Sequence, residues 1–138
     1  MILFYAANGH QMKESIPRLM VDHQFNQPVM PFDTLDALEV RLRRPHIDVD
    51  IILICVGDAI EMVKLTQMRS LLIDKRIVMI LPRREPDMVA WAHKLGPRFI
   101  AYADTSENQV AGVLGKMLNK TMHQRNLLDF AQFRQRPV

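Results

Sequence analysis

The sequence predicts an α/β domain, a five-stranded parallel sheet covered by helices on both faces. Three observations lead there. Short apolar runs alternate with stretches of helical spacing five times over, with short connections between them, which is the pattern of a helix-covered parallel sheet. The run VDIILICV at 49–56 is almost wholly apolar, as a strand buried on both faces requires. Finally, 138 residues with 49% hydrophobic and 24% charged side chains suffice for one folded core and fall short of two.

Ile2 to Ala7 is the first apolar run, ended by the turn signal Asn8-Gly9. Met12, Ile16, Leu19 and Met20 then recur at helical spacing, with Pro17 expected in the first turn or at a kink. Pro28 to Phe32 is a brief, proline-flanked strand suited to a sheet edge. Leu35, Leu38 and Leu42 mark a helix opened by Asp33 or Thr34 and stopped by Pro45. Val49 to Val56 is the clearest strand. After it, Asp58 and Glu61 have capping-box spacing, and Ile60, Val63, Leu71 and Leu72 carry one helix to about Asp74. Arg76 to Leu81 is the fourth strand, followed by a helix from Pro86 to Leu95 that Gly96-Pro97 stops. Arg98 to Ala103 is the fifth. A long helix opened around Asp104–Ser106 follows, with Val110, Leu114, Met117 and Leu118 inward.

Cys55 has no partner within the chain, so no disulfide framework is expected. The opening MILFYAANGH lacks a basic leader and reads as structure rather than as a signal peptide. The longest apolar run, Ile51 to Gly57, is far short of a bilayer span. A single cytoplasmic domain with no membrane contact is the expectation. The net charge of +3 gathers at Arg41, Arg43 and Arg44, and again at Arg83 and Arg84. That excess is modest and has no stacking aromatics interleaved, so nucleic acid is not an expected partner. The histidines show no zinc spacing, and no metal site is expected.

Five strand–helix units in about 120 residues, the most apolar strand third, resemble the receiver domain of two-component response regulators. The resemblance covers residues 1 to about 120 and rests on element order and length. It implies a flavodoxin-like three-layer sandwich with strand order 2-1-3-4-5. Receivers hold magnesium with an acidic pair after the first strand and phosphorylate an aspartate ending the third. A Ser/Thr ends their fourth strand and a lysine their fifth. Here Ala7-Asn8-Gly9-His10 follows the first strand, and Cys55 falls at the phosphoacceptor position. Ile80-Leu81-Pro82 ends the fourth strand and Tyr102-Ala103-Asp104 the fifth. One carboxylate, Asp58, does not make the oxygen-rich set that magnesium needs. The resemblance therefore implies a pseudo-receiver that is not an enzyme, needs no cofactor, and signals through protein–protein contacts without an aspartyl phosphate.

Cys55 has two readings: a small buried filler, or a thiol activated by the following helix with His10 as its base. The apolar neighbours on both sides favour the filler. Gly57 and Asp58 read as a turn glycine and a helix cap, or as part of an anion site. Gly9, His10, Gly57, Asp58, Arg83 and Arg84 could together rim a pocket at the carboxyl edge of the sheet. That pocket supports the alternative of a small flavodoxin-like enzyme or an anion- or nucleotide-binding protein. Trp91 and Tyr102 sit where receivers meet partners. Beyond about residue 120, a helical extension over 121–138 keeps returning apolar groups after the sheet should be covered. Leu118, Met122, Leu127, Leu128, Phe130 and Phe133 form this expected interface, for a homodimer or another signalling protein.

Overall fold

Each central strand divides its side chains between two layers, because successive residues of a strand point to opposite faces. In the computed structural model, which describes residues 1–45, 48–105 and 107–118, the strands are β1 (Ile2–Ala6), β2 (Val29–Phe32), β3 (Ile51–Cys55), β4 (Ile77–Leu81) and β5 (Phe99–Tyr102). All pairings are parallel, in the order β2-β1-β3-β4-β5. The register sets Ala6 beside Cys55, Cys55 beside Ile80 and Leu81 beside Tyr102. The flavodoxin-like order expected from the sequence is the order observed.

Between the strands lie α1 (Met12–Asp22), α2 (Leu35–Leu42), α3 (Ala59–Gln67), α4 (Arg69–Leu72) and α5 (Pro86–His93). A closing helix over 107–118 is α6. Leu3, Tyr5, Ile52, Ile54, Ile77 and Met79 face the layer of α2, α3, α4 and α5, packing on Leu38, Leu65 and Ala92. Ile2, Phe4, Leu53, Cys55, Val78 and Ile80 face α1 and α6, packing on Ile16, Val110 and Leu114. Burying each of these large side chains contributes about 1.5–3 kcal/mol. At the amino edge, buried Asp50 takes the Met1 ammonium at 2.6 Å, so a charge withdrawn from water keeps a partner.

Several sequence expectations are corrected. The helix expected from Asp58 to Asp74 breaks at Met68 into α3 and the single turn α4. Its inward residues are Met62, Leu65, Met68 and Leu72; Ile60 and Val63 are instead 79% and 44% exposed. Asp58 fixes the helical phase by capping, and that phase carries 62 and 65 inward while turning 60 and 63 out. Pro17 lies well inside α1, which runs on through it. Leu118, expected at an interface with other chains, is 4% exposed and belongs to the core beneath α6. Met122, Leu127, Leu128, Phe130 and Phe133 lie outside the described residues. Among the described residues no helix is long and apolar enough to cross a membrane.

Candidate functional site at the carboxyl edge of the sheet

Parallel strands deliver their following loops to one edge, so the loops after β1, β3, β4 and β5 meet there. Cys55 closes β3 with 0% exposure, its side chain in the α1–α6 layer. Burial, with a smaller push from the Glu61 charge, raises its thiol from 9.0 to about 12. A thiol in that state is neither a nucleophile nor a ligand at neutral pH. His10, its candidate base, is committed elsewhere: its Nδ1 accepts the Met12 backbone N–H at 3.0 Å, helping to cap α1. Gly9 adopts φ +86°, a left-handed turn that a side chain would strain.

Asp58 is the cap of α3, its Oδ1 accepting the Glu61 N–H at 2.9 Å. Glu61 does not reach back to complete the box. Its Oε1 accepts the O–H of Tyr5, near the carboxyl end of β1, at 2.5 Å. Tyr5 is 3% exposed, and burial followed by the Glu61 contact raises its pKa far above the ordinary tyrosine value. Gly57 makes room for this arrangement, since a β-carbon there would overlap Glu61 Oε2. Sequence reading missed the Tyr5–Glu61 pair. The available signal was a phenol inside an otherwise apolar strand, because a buried tyrosine O–H needs an acceptor. Replacing Asp58 with alanine is expected to cost about 1 kcal/mol in urea unfolding; no loss would mean that the cap is idle.

The other loops are tied in the same manner. Lys13 of α1 binds Asn8 in the β1 loop and Asp33 in the β2 loop. Arg84 pairs with Asp104 at 2.7 Å and lies 4.3 Å from the Tyr102 ring centroid, joining the loops after β4 and β5. The ion pair raises the Arg84 pKa and lowers that of Asp104. Arg83 pairs with Glu85 at 3.3 Å. The two arginines of the expected anion rim are thus each met by a carboxylate of the chain itself.

Two clefts open at this edge. One, of about 510 Å³, lies among Gln11, Pro82, Arg83, Arg84, Tyr102 and Asp104. The other, of about 580 Å³, lies between the starts of α2 and α3, with Tyr5, Asp33, Asp36, Ile60, Glu61 and Lys64 on its walls. The expected rim is therefore split: Arg83 and Arg84 border the first cleft, while Asp58 caps the helix whose next turn borders the second. Trp91, 39% exposed on α5, borders a separate groove with Val63, Thr66 and Gln67, while Tyr102 borders the first cleft. Among the described residues no three His, Cys, Asp or Glu side chains come together to hold a metal ion.

No protein-family model matches the chain, and no curated protein sequence matches it. Solved structures do. A CheY-like response regulator protein from Mesorhizobium loti superposes with a TM-score of 0.66 at 10% identity, covering 84% of this chain and 96% of that one. A CheY-like protein from Pseudomonas aeruginosa PAO1 gives 0.60 at 16% identity, covering 85% and 99%. A protein of Burkholderia thailandensis E264, provisionally assigned to pilus assembly, gives 0.65 at 14% identity, covering 86% and 98%. At these identities the likeness is one of fold, and the fold is that of the receiver domain.

Proposed function

We propose that the chain is a receiver-like signalling module that works by protein–protein contact, without an aspartyl phosphate. The observation that carries this reading is the state of the phosphoacceptor position. Cys55 is wholly buried, faces the α1–α6 layer and holds its proton until about pH 12. A phosphodonor needs a solvent-reachable oxyanion beside a divalent cation, and Ala7-Asn8-Gly9-His10 brings no carboxylate from β1 to hold one. Regulation then comes from binding or from abundance. Cytoplasmic location and self-association through α6 and segment 121–138 belong to the same reading. Two similar structures, from Burkholderia pseudomallei and Burkholderia thailandensis, are provisionally assigned to pilus assembly, which makes the building of a surface appendage the first cellular setting to test.

The decisive experiment is exposure of the chain to a small-molecule phosphodonor with magnesium, read by intact mass. The expected result is an unmodified chain; a stoichiometric acyl phosphate would overturn the reading. Light scattering over a concentration series, with and without 121–138, checks the association: the full chain should be a dimer and the shortened one a monomer.

The 510 Å³ cleft beside two arginines is the observation behind the alternative, an anion- or nucleotide-binding protein. It requires inorganic phosphate or a nucleotide to displace Asp104 from Arg84. Calorimetric titration with both is expected to give no heat; saturable binding abolished by Arg84→Ala would favour the alternative.

A further inference from the structure

We infer that the amino edge of the sheet, at the starts of β4 and β5, is a docking strip for an acidic segment of a partner protein. The inference rests on the contact reading above and names the surface and the chemistry of its partner. In a parallel sheet each helix returns the chain to the amino edge, so helix ends and strand starts collect there. Among them are Arg69 in α4, Lys75 and Arg76 before β4, Lys94 after α5 and Arg98 before β5. Arg69 Nε donates to the Lys94 carbonyl at 3.0 Å, and the Arg98 N–H donates to the Ile77 carbonyl at 2.8 Å. The first bond sets Arg69 against Lys94, and the second sets Arg98 beside the residue that follows Arg76. Two short segments, 70–75 and 95–97, join these pairs into one strip, with Ile73 38% exposed within it.

The cations at the opposite edge are already matched: Lys13 binds Asp33, Arg83 binds Glu85 and Arg84 binds Asp104. By contrast, Lys75, Lys94 and Arg98 meet no carboxylate among the described residues. Two acids lie near the strip. Asp74 sits in its turn at φ 68°, and buried Asp50, at the start of β3, is held by the Met1 ammonium. Five basic side chains against one exposed acid leave the strip positive. A cation at a helix end offsets the negative end of the helix dipole, which accounts in part for Arg69 and Lys94. Lys75 and Arg98 stand outside the helices, where that account does not reach.

The composition of the strip selects a protein as its occupant. Surfaces that hold single-stranded nucleic acid set aromatic rings among their cations so that bases can stack; the exposed apolar group here is the aliphatic Ile73. Neighbouring strands are about 4.8 Å apart and a helix is about 10 Å across, so the strip is about 15 Å long. That length meets only a few phosphates, and affinity for nucleic acid grows with the number neutralised. A membrane surface calls for a broader apolar face than one isoleucine. An acidic protein segment can set its carboxylates on the guanidinium forks and an apolar side chain on Ile73.

The test uses the full chain and a short fluorescent peptide of glutamates around a single leucine, read by anisotropy. Binding is expected, and it should weaken about tenfold or more between about 0.05 M and about 0.5 M salt. A strip variant carrying Lys75→Glu and Arg98→Glu should bind about 30-fold or more weakly than the parent. A control variant, Arg18→Glu with Lys116→Glu, removes the same charge from exposed positions on α1 and α6 and should bind like the parent. Parental urea midpoints for both variants show that the fold is kept. If the strip variant unfolds, Lys94→Glu alone takes its place, with a loss of about threefold. No binding by the parent, no loss in the strip variant, or an equal loss in the control overturns the inference. So does an oligothymidylate or a phosphatidylserine vesicle that binds the strip more tightly than the peptide does. The phosphodonor and light-scattering outcomes do not depend on this strip, so the contact reading is judged separately.

Discussion

Replacing Cys55 with aspartate is expected to destabilise the fold by about 3–5 kcal/mol and to create no phosphoacceptor. The side chain would enter a layer made of Ala6, Met12, Ile16, Ile80 and Val110, at a position with 0% exposure. None of these groups can pair with a carboxylate. The new acid must either remain charged without a partner or keep its proton, and both cost free energy at neutral pH. Its pKa in the folded state is therefore raised above the unfolded value of about 3.9. For a raised pKa, the penalty is absent below the unfolded value and grows as pH rises through the folded one. The stability gap to the parent should thus narrow on acidification. Urea unfolding at pH 7 and at pH 4 measures it. A variant as stable as the parent at pH 7, or one that takes up a phosphoryl group, would sink both the burial argument and the pseudo-receiver reading.

The parent thiol gives a related signature on the alkaline side. Because the folded pKa is about 12 against 9.0, the unfolded thiol ionises first. Stability is then unaffected by Cys55 below about pH 9 and falls between about pH 9 and pH 12, at about 1.4 kcal/mol per unit. Cys55→Ala should remove that component of the slope. Alkylation by iodoacetamide at pH 8 should proceed only as fast as the chain opens; prompt modification of the native protein would contradict the burial.

Much of the fold was legible because the signals were redundant. IILIC and IVMIL are too uniformly apolar for anything but covered strands, and Pro28, Pro82 and Gly96-Pro97 punctuate the units around them. Cys55 was legible as core for the same reason. The phase of α3 was not. Ile60 and Val63 look inward by composition, but the cap at Asp58 sets the rotation and leaves them outside. The site was harder still, since its ties run between residues distant in sequence. Lys13 to Asp33, Tyr5 to Glu61 and Arg84 to Asp104 each join loops or elements that only the strand order brings together. No local spacing encodes such a pair.

Together these ties hold the loops at the carboxyl edge of the sheet. Here Tyr5 and Glu61 link β1 to α3, Lys13 links the loops after β1 and β2, and Arg84 links those after β4 and β5. The edge is held by bonds within the chain, which fits the proposal that this module acts by contact.

The strongest of these ties should be the one farthest from water. Tyr5→Phe is expected to cost about 1.5–3 kcal/mol, as the loss of a hydrogen bond to a charged acceptor does, with the lower end favoured because Glu61 is partly exposed. Gly57→Ala attacks the same bond from the other side, since its β-carbon would displace Glu61 Oε2 and draw the carboxylate off Tyr5. The two changes remove one interaction, so their costs should not add: the double variant should be little worse than the more damaging single one, a coupling of about 1 kcal/mol or more. Full additivity would mean that Gly57 acts through the turn alone. The phenol supplies an independent check. Its pKa is raised in the folded state, so its contribution is intact below the ordinary tyrosine value of about 10 and is lost as pH climbs above it. Tyr5 should therefore show no phenolate absorbance at about pH 10 and should ionise only as the fold gives way. If Tyr5 titrates near pH 10 in the native chain, the Tyr5–Glu61 bond is not what holds α3 to the sheet.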